Sequence, residues 1–321
     1  MKILKIGAIV LLSVVSGLAS QSGNYHLLRE VPIAPKGGWD YIAVDPSARR
    51  VYISHGMEVD VVDADSYSLV GKIAPTPGVH GIALAEDLGR GFISDGRAST
   101  ITVFDLKTLK TLAVVHSTGE DPDAIVYDPV TQRVFAFNGH SGTATVLDAR
   151  STKVLGTIQL GGDPEFAVAD GKGFIFNNLE DKSLLLKINA RSLQTVARWP
   201  LAPCQSPSGL AMDRENRRLF SGCRNQVMVA VNADTGHVIT SLPIGAHVDS
   251  TKFDPATHLV FDSTGDGTLT VIHEDSPNRY HIVQTVKTAP GARTSAIDLK
   301  THHVFLTTGI NGKFTVLVVG Q

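Results

Sequence analysis

Residues 81–115 read GIALAEDLGRGFISDGRASTITVFDLKTLKTLAVV, and residues 124–158 read AIVYDPVTQRVFAFNGHSGTATVLDARSTKVLGTI. Both contain an apolar run, a polar turn, a second apolar run and, beyond a polar loop, two further runs. The runs alternate β-branched or aromatic residues with others between Gly, Asn, Asp and Pro punctuation, which favours strands, and no long segment shows a period of 3.6. Working outward, the unit recurs along the chain. Its third run ends at Asp63, Asp105, Asp148, Asn189, Asn232, His273 and Val318, a period of about 42 residues. Such a repeat predicts an all-β, seven-bladed β-propeller with four-stranded blades.

In the first blade the strands are expected at residues 40–45, 51–54, 59–63 and 69–73. Turns such as DPSARR, DPVTQR, DRENRR and DPATHL join first to second strands with the Asp, Pro and Asn chemistry that tight turns prefer. The seventh repeat, residues 293–320, has only three runs, TSAIDL, HVFLT and FTVLVV. Its fourth strand is expected from the other end of the chain, residues 25–33, YHLLREVPI, which is similar to the outer strands LVGKI and KVLGTI. That exchange closes the last blade with the N-terminal strand and removes a vulnerable sheet edge.

Residues 1–20, MKILKIGAIVLLSVVSGLAS, begin with Lys2 and Lys5, continue through an apolar core from Ile6 to Val15 and end in small residues. The pattern is that of a secretory signal peptide cleaved near Ala19 or Ser20. An uncleaved anchor is the alternative, but the apolar run falls short of the ~20 residues that span a bilayer. Residues 21–321 then form a single propeller domain, expected to be periplasmic or secreted, monomeric, and without a membrane anchor once the leader is removed. A formal net charge of -2, with acidic and basic residues interleaved, gives no electrostatic footprint for nucleic acid. Cys204 and Cys223, the two cysteines of the chain, both fall in the fifth repeat. In an exported chain an even pair points to a disulfide. The repeat map sets Cys204 before the first strand of that blade and Cys223 in its second-to-third strand loop, on the same face. Two buried thiols are the other reading.

With the repeats aligned, the sequence resembles the YVTN-type β-propeller repeat family, which includes the YncE-like exported proteins. The resemblance spans essentially all of the chain after the leader. It rests on the strand starts VHGIALA, DPDAIVYD and SPSGLAMD, on VYIS, VFAF and LFSG at the YVTN position, and on VDVVDADSYSLVGKI, ITVFDLKTLKTL and ATVLDARSTKVLGTI after it. No blade carries a literal YVTN, and the fourth is shortened at its first turn. The resemblance implies a non-enzymatic binding or scaffold role.

A column of polar residues marks the place where a site is expected. Five positions before the end of each inner strand stand Asp40, His80, Asp123, Glu165, Ser208, Asp249 and Arg293. In a propeller this position opens the innermost strand, so the seven side chains should surround one mouth of the central channel. Like charges held close raise one another's pKa unless a cation or hydrogen-bond donors compensate them. Such a ring can hold a hard divalent metal through carboxylate oxygens, grip a cationic ligand, neutralise itself through Arg293, or simply be wet. The second-to-third strand loops add His55, Asp95, Arg97, His140, Asn177, Asn178, Glu180, Arg224, Asp266 and Asn311 on the same face. Trp39 offers either an apolar wall for a ligand or packing between blades. His55 and His140 have acidic neighbours and suit acid, base or metal-ligand roles.

There is no GxSxG elbow, HExxH helix, Walker loop, GxGxxG in a βαβ context or CxxCH haem motif. No cofactor is required, although a divalent metal is compatible with the ring. Two functions are expected to compete. One is an exported scaffold that presents the channel mouth to a protein or small-molecule partner, with Trp39, Asp40, His55, His80, Arg97, Asp123, His140, Glu165, Asp249 and Arg293 as contact residues. The other is a metal-dependent lyase, or lactone or ester hydrolase, with Asp40, Asp123, Glu165 and Asp249 as ligands and His80 or His140 moving the proton.

Overall fold

The computed structural model describes residues 24–35 and 37–321 of the chain. It contains seven four-stranded antiparallel sheets. Six are simple meanders whose inner strands are Trp39–Asp45, Val79–Ala85, Pro122–Asp128, Pro164–Ala169, Pro207–Asp213 and Val248–Asp254. The seventh is built from Ser295–Asp298, His303–Ile310 and Lys313–Gly320, with His26–Pro35 paired antiparallel to Lys313–Gly320 as the outer strand. The chain is thus a seven-bladed β-propeller closed by its N-terminal strand, as the repeat count predicts. The expected signal peptide, residues 1–20, lies outside the described residues. No helix among the described residues is long and apolar enough to cross a membrane.

The third runs of the repeat form strands because both of their faces are covered. Val59, Asp60, Val61 and Val62 are all buried, as are Ile101 to Phe104 and Ala144 to Leu147. Radial sheets pack blade against blade, so their central strands lose the polar alternation of a one-sided sheet. Apolar side chains accordingly gather in seven clusters, each shared by two neighbouring blades. In the first five blades the third strand ends on Asp63, Asp105, Asp148, Asn189 or Asn232. Each of these accepts a backbone N–H three residues on, at 2.7–3.0 Å, and so caps the turn to the outer strand.

Cys204 and Cys223 form a disulfide across a Cα separation of 5.6 Å. The repeat map places Cys223 in a loop, whereas it is the last residue of the strand Arg218–Cys223, paired with Pro207 of the inner strand. The bridge therefore fastens the entry to the fifth blade onto its own second strand.

Closure of the ring rests on Tyr25 as well as on the strand that follows it. Its ring is 1% exposed and meets Phe261 of the sixth blade edge-on at 5.2 Å, while Gln284 bonds its backbone N–H and carbonyl. Replacing Tyr25 by Ala should remove about 3–5 kcal/mol of stability and about 10 °C of Tm, measured by thermal melting. Deleting residues 25–33 should be more damaging still, and a truncated protein melting like the intact one would contradict closure by this strand.

Candidate functional site

The polar column is set by a backbone irregularity that recurs in every complete meander. In the first six blades the pairing of inner with second strand shifts near its start. The shift falls between Trp39 and Ile42, Val79 and Ile82, Pro122 and Ile125, Pro164 and Ala167, Pro207 and Leu210, and Val248 and Ser250. A bulge leaves residues outside the ladder and re-aims their side chains. Asp40, His80, Asp123, Glu165, Ser208 and Asp249 all lie within these bulges, and Arg293 stands just ahead of Ser295–Asp298.

The bulges free backbone carbonyls that must find other donors. Polar residues on the second strand of the preceding blade supply them. Ser54 bonds the carbonyl of His80, Ser94 that of Asp123, Asn178 that of Ser208 at 3.0 Å, and Ser263 that of Arg293 at 2.6 Å. Asn177 turns to its own blade and bonds the carbonyl of Glu165 at 2.7 Å. Asn177 and Asn178, read from the sequence as loop residues facing a ligand, are therefore buried strand residues that hold the ring's backbone. Asp95 is likewise buried and accepts from Thr100 and Thr102 at 3.0 and 2.7 Å.

The side chains of the column form two arcs. In the first, His80 Nδ1 lies 2.6 Å from Asp40 Oδ2 and 3.9 Å from Asp123 Oδ1, and its Nε2 lies 3.7 Å from Asp121 Oδ1. His140 Nδ1 extends the arc at 3.1 Å from Asp121 Oδ2. In the second, Ser208 Oγ lies 3.2 Å from Glu165 Oε2 and 3.1 Å from Asp249 Oδ1, while Arg293 Nε pairs with Asp249 Oδ2 at 3.0 Å. Arg224 spans Glu165 and Glu180 at 3.6 and 3.1 Å. Asp40, His80 and Asp123 bring ligand atoms within 4.8 Å of one another, and Asp123 Oδ1 is buried without a hydrogen-bond partner. Glu165 and Asp249 belong to the other arc, where Ser208, Arg224 and Arg293 engage them.

Burial dominates the acid–base state of the ring. It pushes Asp123 up to about 7, with Asp40 adding to the rise and His80 opposing it. Burial, a contact with Glu180 and the field of Asp123 raise Glu165 well above the usual carboxylate range. Asp249 is raised by burial and partly relieved by Arg293. For His80, burial alone lowers the imidazole, but the hydrogen bond it donates to Asp40 and the fields of Asp123, Asp40 and Asp121 outweigh it and raise it to about 9.

Beneath the ring three side chains narrow the channel. Tyr41 of the first blade stacks on Phe166 of the fourth at 4.5 Å, across the axis. Lys252 of the sixth blade holds its Nζ 5.0 Å from the Phe166 centroid. Burial lowers the Lys252 ammonium to about 8, with Asp249 holding it up in part. The ring therefore lies over a narrowed floor.

Beside this floor opens a cleft of about 430 Å³ lined by Gly38, Trp39, His247, Gly265, Gly291 and Arg293. The Trp39 indole packs between blades, stacked on Phe314 at 6.0 Å, and also lines the cleft. A Cβ at Gly309 would stand 3.3 Å from the indole, so glycine there lets the ring lie close. His55 is packed away from the axis, stacked on Phe314 at 4.3 Å and bonded to Asp60 at 2.9 Å. Arg97 is exposed on the short 3₁₀ turn Gly96–Ala98. Asp121, His247 and the Tyr41–Phe166–Lys252 constriction were not singled out from the sequence. Asp121 and His247 share one signal, a left-handed backbone (φ 57° and 61°) immediately before an inner strand.

No protein-family model matches the sequence, and no curated protein matches it either. Solved structures do. The chain is similar to the structure of U3-55K, with a TM-score of 0.80 and 9% identity over 92% of this chain and 98% of that one. Against the RRP9 WD40 repeats the TM-score is 0.79, at 10% identity over 93% and 97% of the two chains. Hydrazine synthase of Kuenenia stuttgartiensis gives 0.75 at 13% identity, over 88% and 95%. At such identities the likeness is one of fold, that of a β-propeller.

Because the charged form of His80 is the one the fold favours, its contribution to stability is complete below about 6.5 and is lost as the pH rises through about 9. An NMR titration should find His80 still protonated at pH 8, and Asp40→Asn should lower its midpoint. A midpoint near that of an exposed imidazole in the unmodified protein would contradict the arrangement.

Proposed function

We propose that this chain is an exported β-propeller binding protein, of the YVTN or YncE-like kind, that receives a partner on the face carrying the ring and the Trp39 cleft. The observation that carries this reading is the cleft beside the ring, with Trp39 and Arg293 in its wall. With Tyr41, Phe166 and Lys252 narrowing the axis below, the ring and cleft form one concave, preorganised surface. Such surfaces bind by apolar contact plus a few oriented polar groups. Trp39 supplies the apolar wall. The Arg293 side chain is half exposed, lines the cleft and pairs its Nε with Asp249. A partner offering an apolar group beside an anionic one, whether a protein segment or a small molecule, suits this pair. Because the blades fix the loops, little ordering is required on binding. The disulfide is consistent with an oxidising compartment, periplasmic or extracellular.

Immobilised protein should capture a partner from an exported fraction. Trp39→Ala and Arg293→Glu should each lose it, and His302→Ala, on the opposite face, should keep it. Equal capture by all three variants would move the binding surface elsewhere.

A second reading, a metal-dependent lyase or hydrolase, is favoured by one observation: the buried, unpartnered Asp123 Oδ1 beside Asp40 and His80. These three residues fit a divalent ion, which would polarise an ester or lactone carbonyl. Glu165 and Asp249, already engaged by Ser208 and two arginines, are poorer ligands. Elemental analysis of protein purified without chelator separates the readings. A stoichiometric ion that leaves with Asp123→Ala, together with a melt shifted by EDTA, would favour the enzyme. Metal-free protein indifferent to EDTA would favour the binding scaffold.

A further inference from the structure

The sixth blade departs from the other repeats in its outer hairpin. In the first five blades the third strands are six residues long and the fourth strands five to seven. Here Thr268–Ser276 and Arg279–Lys287 are nine residues each. The hairpin runs on past the point where the others turn, away from the face that carries the ring. At that point His273 replaces the turn-capping Asp or Asn, and its direct cross-strand partner is His281.

Three side chains converge as a result. Residues two apart on a strand share a face, and opposed residues on paired strands bring their side chains together. The register slips between Glu274 and Ser276, so Asp275 occupies a bulge. Glu274 faces inward, 3% exposed and bonded by Tyr280. Asp275 turns the other way and stands between the two imidazoles, with Oδ1 2.9 Å from His273 Nδ1 and Oδ2 3.0 Å from His281 Nδ1. The two His rings are 5.6 Å apart, and one ligand atom from each of the three residues lies within 4.8 Å of the others.

We propose that His273, Asp275 and His281 form a second metal site, for a divalent first-row transition ion of the zinc, copper or nickel class. Two imidazole nitrogens and one carboxylate oxygen are the donors these ions prefer, whereas calcium and magnesium take all-oxygen sets. Ligand bonds of about 2.0–2.2 Å place tetrahedral neighbours a little over 3 Å apart, so the observed spacing needs only a small opening. The competing cation is Arg279, whose Nε lies 3.3 Å from Asp275 Oδ2 on a side chain 77% exposed. Exposed ion pairs of this kind are weak and give way readily. The His55–Glu58–Asp60 group differs here, because Lys72 bonds both of its carboxylates.

Calorimetric titration of tag-free protein with zinc, copper and nickel salts, made in the His80→Ala background so that the ring does not contribute, tests the site. One ion per chain should bind saturably, binding should be lost on adding His281→Ala or Asp275→Ala, and calcium and magnesium should give no saturable heat. His281 is exposed, so His281→Ala should melt like its parent. Failure of the His80→Ala protein to bind any of the three ions would overturn the proposal. So would binding that survives His281→Ala.

Discussion

Every blade of this protein is apolar on both faces, and neither face can be hidden by the blade itself. A sheet with that property is stable only between two others, and a ring of seven is the arrangement in which all of them have neighbours on both sides. The interior is therefore a set of seven layers, one at each blade boundary, instead of a central core. Outer strands contribute least to those layers, while inner strands both join them and line the axis. The ring of Asp40, His80, Asp123, Glu165, Ser208, Asp249 and Arg293 opens those inner strands. It sits where a recurring bulge takes residues out of the ladder.

Such a centre has to resolve its own electrostatics. Carboxylates drawn together away from water resist ionisation, and the two arcs answer this differently. One surrounds an imidazole that stays charged; the other combines a bridging hydroxyl with two guanidinium groups. Below them Lys252 supplies a further positive charge against the aromatic pair. The local balance allows acidic residues to remain close together.

Much of this was legible in the sequence. The fold was, because the blades repeat one order of strands and turns at a nearly constant period, and the closing strand was, because the seventh repeat lacks one. The membership of the polar column was also legible, since a fixed offset within a repeat is a fixed place in the ring. The constriction was not. Tyr41 and Phe166 lie in different blades and meet only across the axis, a relation that an alignment of repeats cannot express. Asn177 and Asn178 were misplaced for a related reason: polar residues near a strand end suggest a loop, whereas here the bulge in a neighbouring strand creates carbonyls that need them inside. His55 has the composition of a site residue, but Phe314, far away in the chain, decides its place.

The pairing of His26 with Gly320 has a consequence for the order in which this molecule comes into being. The outer strand of the seventh blade is made before all six other blades and is among the last to find its place, because its partner is the last strand of the propeller. Six blades can assemble as they emerge, yet the circle stays open until that partner has been made. A chain built in this way carries its own delay.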